Sequence, residues 1–283
     1  MSTQWLADHL GADNLVVVDA TVLQVKGFDG RYTWLSGLDQ YLVTGHVPGA
    51  VFADLLETFS DPAGAYGFAR PDKAAFEAAA SSIGVDNQST VVVYDASVGQ
   101  WASRIWWLFR AFGYERVAVL DGGLTKWKAE GRPIERGHVE PREAVRFDAR
   151  ERPGVWVDKS HVESIVDGRT SATLVCGLPP KEFAGLAGQR SRLGHIPGSI
   201  SAPAGRLVSQ ETNALLPLEE LRTAFADALS SDAPIVAYCA GGIAASADAL
   251  VLTLLGRDDV VLYDGSLNEW SADESAPLAT LAE

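Results

Sequence analysis

The chain repeats itself. Gly45-His46-Val47-Pro48-Gly49-Ala50 returns as Gly194-His195-Ile196-Pro197-Gly198-Ser199. Val91-Val92-Val93-Tyr94-Asp95 returns as Ile235-Val236-Ala237-Tyr238-Cys239. Leu120-Asp121-Gly122-Gly123-Leu124-Thr125-Lys126-Trp127 returns as Tyr263-Asp264-Gly265-Ser266-Leu267-Asn268-Glu269-Trp270. The blocks keep their order, and Gly113 to Asp121 spans 8 positions, as Gly256 to Asp264 does. Chance does not line up three blocks in order, so the chain is a duplicated unit, and its fold must be one that half the sequence can form twice.

Each half alternates short apolar runs with helical stretches. In the first, residues 15–18, 91–94 and 117–120 read as strands, and 73–83 and 103–112 as helices. Runs such as Val91-Val92-Val93 are apolar on both faces, which suits a parallel sheet covered by helices on both sides. The expected class is α/β, as two tandem domains, each a parallel sheet flanked by helices. Residues 1–135 form the expected first domain and 154–283 the second. The proline- and charge-rich stretch 136–153 reads as the linker.

At 283 residues, each half can bury its own core. The formal net charge of -14 argues against nucleic acid or an anionic membrane as a partner, since both need a basic face. Two cysteines, Cys176 and Cys239, make neither a disulfide scaffold nor a zinc site, and no metal is expected. The first ten residues have no basic start and no long apolar core, so no signal peptide is expected. No run reaches the ~18 apolar residues of a membrane span. A cytoplasmic, reducing setting is the expectation, and it would keep thiols free.

The repeat singles out one position. Asp95 ends a strand in the first half, and Cys239 ends its counterpart in the second. Two glycines, Gly241 and Gly242, follow Cys239, and 244–255 reads as a helix. A helix start carries about half a positive charge and unpaired N–H groups, which favour a thiolate, the nucleophilic form. The expected cradle for a thiolate or persulfide is the backbone of Ala240, Gly241, Gly242, Ile243, Ala244 and Ala245. Packing as a small buried residue is the alternative for Cys239. From Asp95 to Gly113 is 18 positions and from Cys239 to Gly256 is 17, so the cysteine loop is one residue tighter.

With these blocks in hand, the chain resembles the two-domain rhodanese-like sulfurtransferases, the group of thiosulfate and 3-mercaptopyruvate sulfurtransferases. The resemblance rests on Val18-Asp19-Ala20, Tyr94-Asp95-Ala96-Ser97, Arg104-Ile105-Trp106-Trp107, both Gly-His-x-Pro-Gly turns, both Asp-Gly turns and the Cys239 loop. It implies a catalytic second domain, a non-catalytic first domain with Asp95 at the cysteine position, and transfer of sulfur through a Cys239 persulfide. It implies a small-molecule sulfur donor, a thiol or cyanide acceptor, a protein thiol as a further acceptor, and no cofactor. Phosphatases of the same fold close the loop on an arginine six positions on, for bidentate phosphate binding. Here that position is Ala245, and no Lys or Arg lies between Cys239 and Leu255.

The resemblance also frames the donor. The uncharged loop is closer to the Cys-Gly-Ser-Gly-Val-Thr-Ala pattern of mercaptopyruvate enzymes than to the basic loops of thiosulfate enzymes, so 3-mercaptopyruvate is the expected donor. Thiosulfate, or a persulfide carrier with weak turnover, is the alternative. Gly241 and Ala244 replace the pattern's serine and threonine, leaving Ser246 as the nearby hydroxyl. The family's Asp-Ala-Arg strand end and later Gly-Arg-Phe are replaced by Cys176-Gly177-Leu178 and Lys181-Glu182-Phe183. Arg190, Arg192 and Lys181 are the basic candidates for a donor carboxylate, with solvated loop charges as the alternative reading. His46, with Asp39 as a partner near in sequence, is a further candidate at the donor, against a structural role in its turn. Cys176, at another strand end of the second half, is a candidate to resolve a persulfide on Cys239, against filling a core gap.

Overall fold

The computed structural model describes residues 1–28, 30–143 and 145–281. The chain divides into two compact units. The first takes Met1–Ala63, Arg70–Arg152 and Val208–Leu215; the second takes Gly64–Ala69, Pro153–Leu207 and Leu216–Glu283.

The first unit contains β1 (Leu15–Asp19), β2 (Val22–Lys26), β3 (Tyr32–Ser36), β4 (Val51–Phe52), β5 (Thr90–Tyr94) and β6 (Val117–Val119). Its helices are α1 (Thr3–His9), α2 (Lys73–Ser82), α3 (Gln100–Ala111) and α4 (Gly123–Ala129). Four strands form a parallel sheet in the order β4-β1-β5-β6, and β2 and β3 pair as a separate antiparallel hairpin. The second unit contains β7 (Trp156–Val157), β8 (Thr173–Cys176), β9 (Ile200–Ser201), β10 (Ile235–Tyr238) and β11 (Val260–Tyr263). Its helices are α5 (Lys159–Val166), α6 (Pro180–Phe183), α7 (Leu218–Ala224), α8 (Ala226–Leu229), α9 (Ile243–Leu254) and α10 (Ser266–Trp270). Its sheet is parallel throughout, in the order β7-β11-β10-β8-β9. Without β7 that is the order of the first sheet, strand for strand, so the repeat in sequence is a repeat in topology.

In both units the strand before the special position is central. β5 lies between β1 and β6, and β10 between β8 and β11. All four residues of β10 are buried, as are Val91 to Tyr94 of β5, which is why these runs show no alternation of polar and apolar residues. Helix starts follow the local chemistry. Asp72 caps α2 by accepting from Ala75 N, and Asp158 caps α5 by accepting from His161 N, each worth about 1 kcal/mol. Gly99 and Gly242 precede α3 and α9 with φ of 82° and 77°, a left-handed turn that glycine adopts without strain.

Of the stretch 136–153 expected as a linker, the described residues up to Arg152 pack as part of the first unit. Phe147 is buried edge-on against Phe76, and Arg142 donates to Gly84 O through Nη2 at 2.7 Å. Isolated side chains hold this stretch, so no periodicity marks it.

Candidate active site

Cys239 directly follows β10 at the carboxyl end of the sheet, where loops of open parallel sheets gather ligands. It is 2% exposed. Its backbone is held from the opposite block of the repeat. Cys239 N donates to Ser266 Oγ at 3.1 Å, and Ser266 Oγ donates to Tyr263 O at 2.8 Å. Leu267 N donates to Cys239 O at 3.1 Å, and Asn268 N to Ala240 O at 2.8 Å. Ser266 itself sits at φ 48°. From there the chain turns through Gly242 into α9, whose first-turn N–H groups have no carbonyl partner within the helix.

The first unit shows what such a loop holds. Asp95 Oδ1 accepts from Ser97 N at 2.8 Å and Gly99 N at 3.0 Å; Oδ2 accepts from Trp101 N at 2.9 Å and Ala102 N at 3.0 Å. Burial pushes the Asp95 carboxyl up, and amide bonds from Ala102, Ser97, Gly99 and Trp101 pull it back. Leu124 N donates to Asp95 O at 3.0 Å, the counterpart of Leu267 on Cys239. The loop after β5 is therefore an anion nest filled by the Asp95 carboxylate, and Cys239 stands at the matching position after β10.

Several candidate residues are committed elsewhere. Ser246 is buried and donates its hydroxyl to Gly242 O at 2.8 Å, as Ser103 does to Gly99 O at 2.6 Å. Its hydroxyl bonds the helix backbone and is not a free donor to sulfur. His46 is fully buried inside the first unit; its Nδ1 lies 3.0 Å from Val47 O and its Nε2 3.1 Å from Gly137 O, with the ring stacked on Tyr41. It is a wedge that ties its turn to the stretch beyond Glu135, and Asp39, which is exposed, is not its partner. These contacts favour the structural role weighed for His46 in its turn over contact with a donor. His195 does the same in the second unit, stacked on Phe183 with Nδ1 2.7 Å from Phe183 O. Arg192 donates from Nη1 to Asp273 O at 2.5 Å and from Nη2 to Ala276 O at 2.6 Å, so its guanidinium fastens the C-terminal segment instead of facing a donor. Arg190 pairs with Glu182 at 3.3 Å, which offsets its charge, and Lys181 is exposed on α6.

Two further groups of the second unit lie beside the site. Cys176 pairs in register with Tyr238, and burial pushes its thiol up to about 12, with the Leu178 amide and Tyr238 hydroxyl opposing. A thiol held protonated is a poor nucleophile, which favours packing over a resolving role for Cys176. Asp248 on α9 is fully buried, and neither carboxyl oxygen finds a hydrogen-bond partner among the described residues. Burial pushes its carboxyl well up, which favours the neutral form. A Cβ on Gly177 would lie 2.5 Å from Asp248 Oδ2, so glycine there makes room for the acid.

Sequence reasoning missed Ser266, Asn268, Asp248 and the segment Gly64–Ala69. The Asp-Gly-Ser block pointed to Ser266, but nothing local marks the others. The missed segment packs in the second unit, where Tyr66 donates its hydroxyl to Asp264 at 3.2 Å. Among the described residues no group of three or more His, Cys, Asp or Glu could hold a metal ion.

A family model for the rhodanese-like domain matches residues 2–130 and again 155–273. The chain belongs to the rhodanese-like family. This rhodanese-like chain is 31% identical to 3-mercaptopyruvate sulfurtransferase of Escherichia coli K12 over 98% of its own length and 96% of the relative's. It is 32% identical to thiosulfate sulfurtransferase of Bos taurus, over 95% and 91%. The crystal structure of SseA from Escherichia coli, a 3-mercaptopyruvate sulfotransferase, superposes with a TM-score of 0.81 at 30% identity, covering 94% of this chain and 97% of that one. The Tum1 protein of Saccharomyces cerevisiae, at 20% identity and a TM-score of 0.83, shares the fold. The tandem rhodanese fold and membership among the sulfurtransferases stand on these matches.

Proposed function

We propose that this sulfurtransferase takes sulfur from 3-mercaptopyruvate onto Cys239 and passes it to a thiol or cyanide. The observation that carries the reading is Cys239 at the end of β10, in a loop whose counterpart holds the Asp95 carboxylate on four backbone amides. In the first half-reaction the Cys239 thiolate attacks the donor sulfur. An S–S bond forms, the C–S bond breaks, and its electron pair leaves as pyruvate enolate, which takes up a proton. In the second, an acceptor nucleophile attacks the outer sulfur of the persulfide, and the Cys239 thiolate leaves. The loop amides of Ala240, Gly241, Gly242, Ile243, Ala244 and Ala245 hold the sulfur anion in both steps.

The preference for 3-mercaptopyruvate rests on a loop without Lys or Arg, ill-suited to the dianion thiosulfate, in a chain of net charge -14. Arg190 and Lys181 are the remaining basic candidates for the donor carboxylate. The relatives' names as transferases weigh against a carrier without turnover. A cytoplasmic, reducing setting is proposed because it keeps the thiol available; among the described residues no helix is long and apolar enough to cross a membrane.

Intact mass after donor treatment tests the nucleophile. The wild type should gain one sulfur, about 32 Da, and Cys239→Ser should not. A gain that survives in Cys239→Ser refutes the assignment. Initial rates with both donors test the preference: a kcat/KM at least as high for thiosulfate would overturn it.

A further inference from the structure

Gly241 stands where the loop pattern of mercaptopyruvate enzymes has a serine, so the loop itself offers no hydroxyl there. The space is not open. A Cβ built on Gly241 would lie 2.9 Å from Nδ2 of Asn268, 3.9 Å from its Cγ and 3.3 Å from Gly67 O. The carboxamide of Asn268 occupies the place that a side chain at position 241 would take.

The backbone of Asn268 is tied to the cysteine loop. Asn268 N donates to Ala240 O and Leu267 N to Cys239 O, so the start of α10 and the cysteine loop move as one piece. Asn268 is exposed, and its side-chain amide makes no hydrogen bond among the described residues. A carboxamide has two donor hydrogens and an acceptor oxygen, and here they are left for a ligand.

The first unit shows the same position when it is closed. Its counterparts of Gly241 and Asn268 are Ser97 and Thr125. Asn213 Nδ2 donates to Ser97 O at 2.8 Å and to Thr125 Oγ1 at 3.1 Å. In the unit without a cysteine, the carboxamide at this place comes from Asn213, outside the repeated block, and is spent within the protein. In the cysteine unit the Asn268 carboxamide is not.

From this geometry we infer that Asn268 is a donor-binding residue: its carboxamide hydrogen-bonds an anionic oxygen of the sulfur donor at the Cys239 loop, in place of the side chain absent at Gly241. The inference rests on the Cys239 reading above and adds the group that recognises the donor. With Arg192 fastened to carbonyls and Arg190 offset by Glu182, a neutral amide becomes a main side-chain contact for that oxygen. A side chain at position 241 would have to displace the Asn268 carboxamide, because both need one volume.

Initial-rate kinetics on Asn268→Ala, Asn268→Asp, Gly241→Ser and the double variant Gly241→Ser/Asn268→Ala, with 3-mercaptopyruvate as donor and cyanide as acceptor, test this. Loss of one hydrogen bond to an anion predicts a donor KM raised about tenfold in Asn268→Ala, with kcat and acceptor KM within about threefold. Asn268→Asp sets a carboxylate against an anionic donor and raises donor KM further. Gly241→Ser should restore donor KM in the Asn268→Ala background and bring no gain in the wild type, where it must displace the amide. A donor KM within twofold of wild type in Asn268→Ala, or an equal effect of Gly241→Ser in both backgrounds, overturns the role of Asn268. Intact mass at saturating donor separates the two readings. If the wild type gains sulfur on Cys239 while Asn268→Ala keeps its KM, only Asn268 fails; if the wild type gains none, the Cys239 reading fails.

Discussion

The Asp95 carboxylate accepts a hydrogen bond from Trp101 N, six residues on, at 2.9 Å. With Ser97, Gly99 and Ala102 it closes the loop after β5 on itself. Cys239 starts the corresponding loop in the second unit, so the position that carries an anchoring carboxylate after β5 carries a thiol after β10.

Asp95→Ala should leave four N–H groups, two of them buried, without their acceptor. A loss of about 2–4 kcal/mol in unfolding free energy is expected, at the upper end of single-substitution effects. Denaturant titration measures it, and folded molecules should still take sulfur on Cys239. A change below about 0.5 kcal/mol would mean that the carboxylate does not hold the loop.

Ser266→Ala removes the acceptor of Cys239 N and should cost about 1–3 kcal/mol. The nucleophile then loses part of its positioning, and kcat should fall roughly tenfold while donor KM changes less. Thermal melts alongside single-turnover rates read both effects; unchanged kcat would remove Ser266 from the positioning of the thiol.

Asp248→Asn should stabilise the protein increasingly as pH rises. The folded pKa of Asp248 lies well above its ordinary value of 3.8, so its contribution is fully present below that unfolded value and is lost as pH climbs toward the folded one. Asparagine, neutral throughout, carries no such loss. Unfolding free energies of both proteins from pH 4 to pH 8 should therefore diverge in favour of the variant, and parallel curves would show that Asp248 is not buried as a neutral acid.

Cys176 should resist alkylation in the native state, because burial holds its thiol near 12, while Cys239 reacts. Peptide mapping after brief iodoacetamide treatment should find one modified cysteine. Cys176→Ala should keep turnover within about twofold; a disulfide between Cys176 and Cys239 after donor treatment, with sulfide released, would restore the resolving role.

Much of the fold was legible in the sequence, for a physical reason. Strands buried on both faces must be apolar throughout, so 91–94 and 235–238 announced themselves, and they lie within β5 and β10. The helix read at 103–112 begins three residues earlier, at Gln100, because the Asp95 carboxylate supplies its first N–H groups with acceptors from outside the helix.

By itself, the sequence determined that one α/β unit is built twice and that Cys239 takes the place of Asp95, because both facts are carried by local runs repeated in order. Only the tertiary structure decided which polar groups are free to act. Ser246 is spent on Gly242 O, Arg192 on Asp273 O and Ala276 O, and His46 lies buried against Tyr41 and carbonyls. Asn268 comes to lie beside Gly241, from a different block of the chain. A side chain's hydrogen-bond partner is chosen by packing between distant segments, and no spacing within one segment encodes that choice.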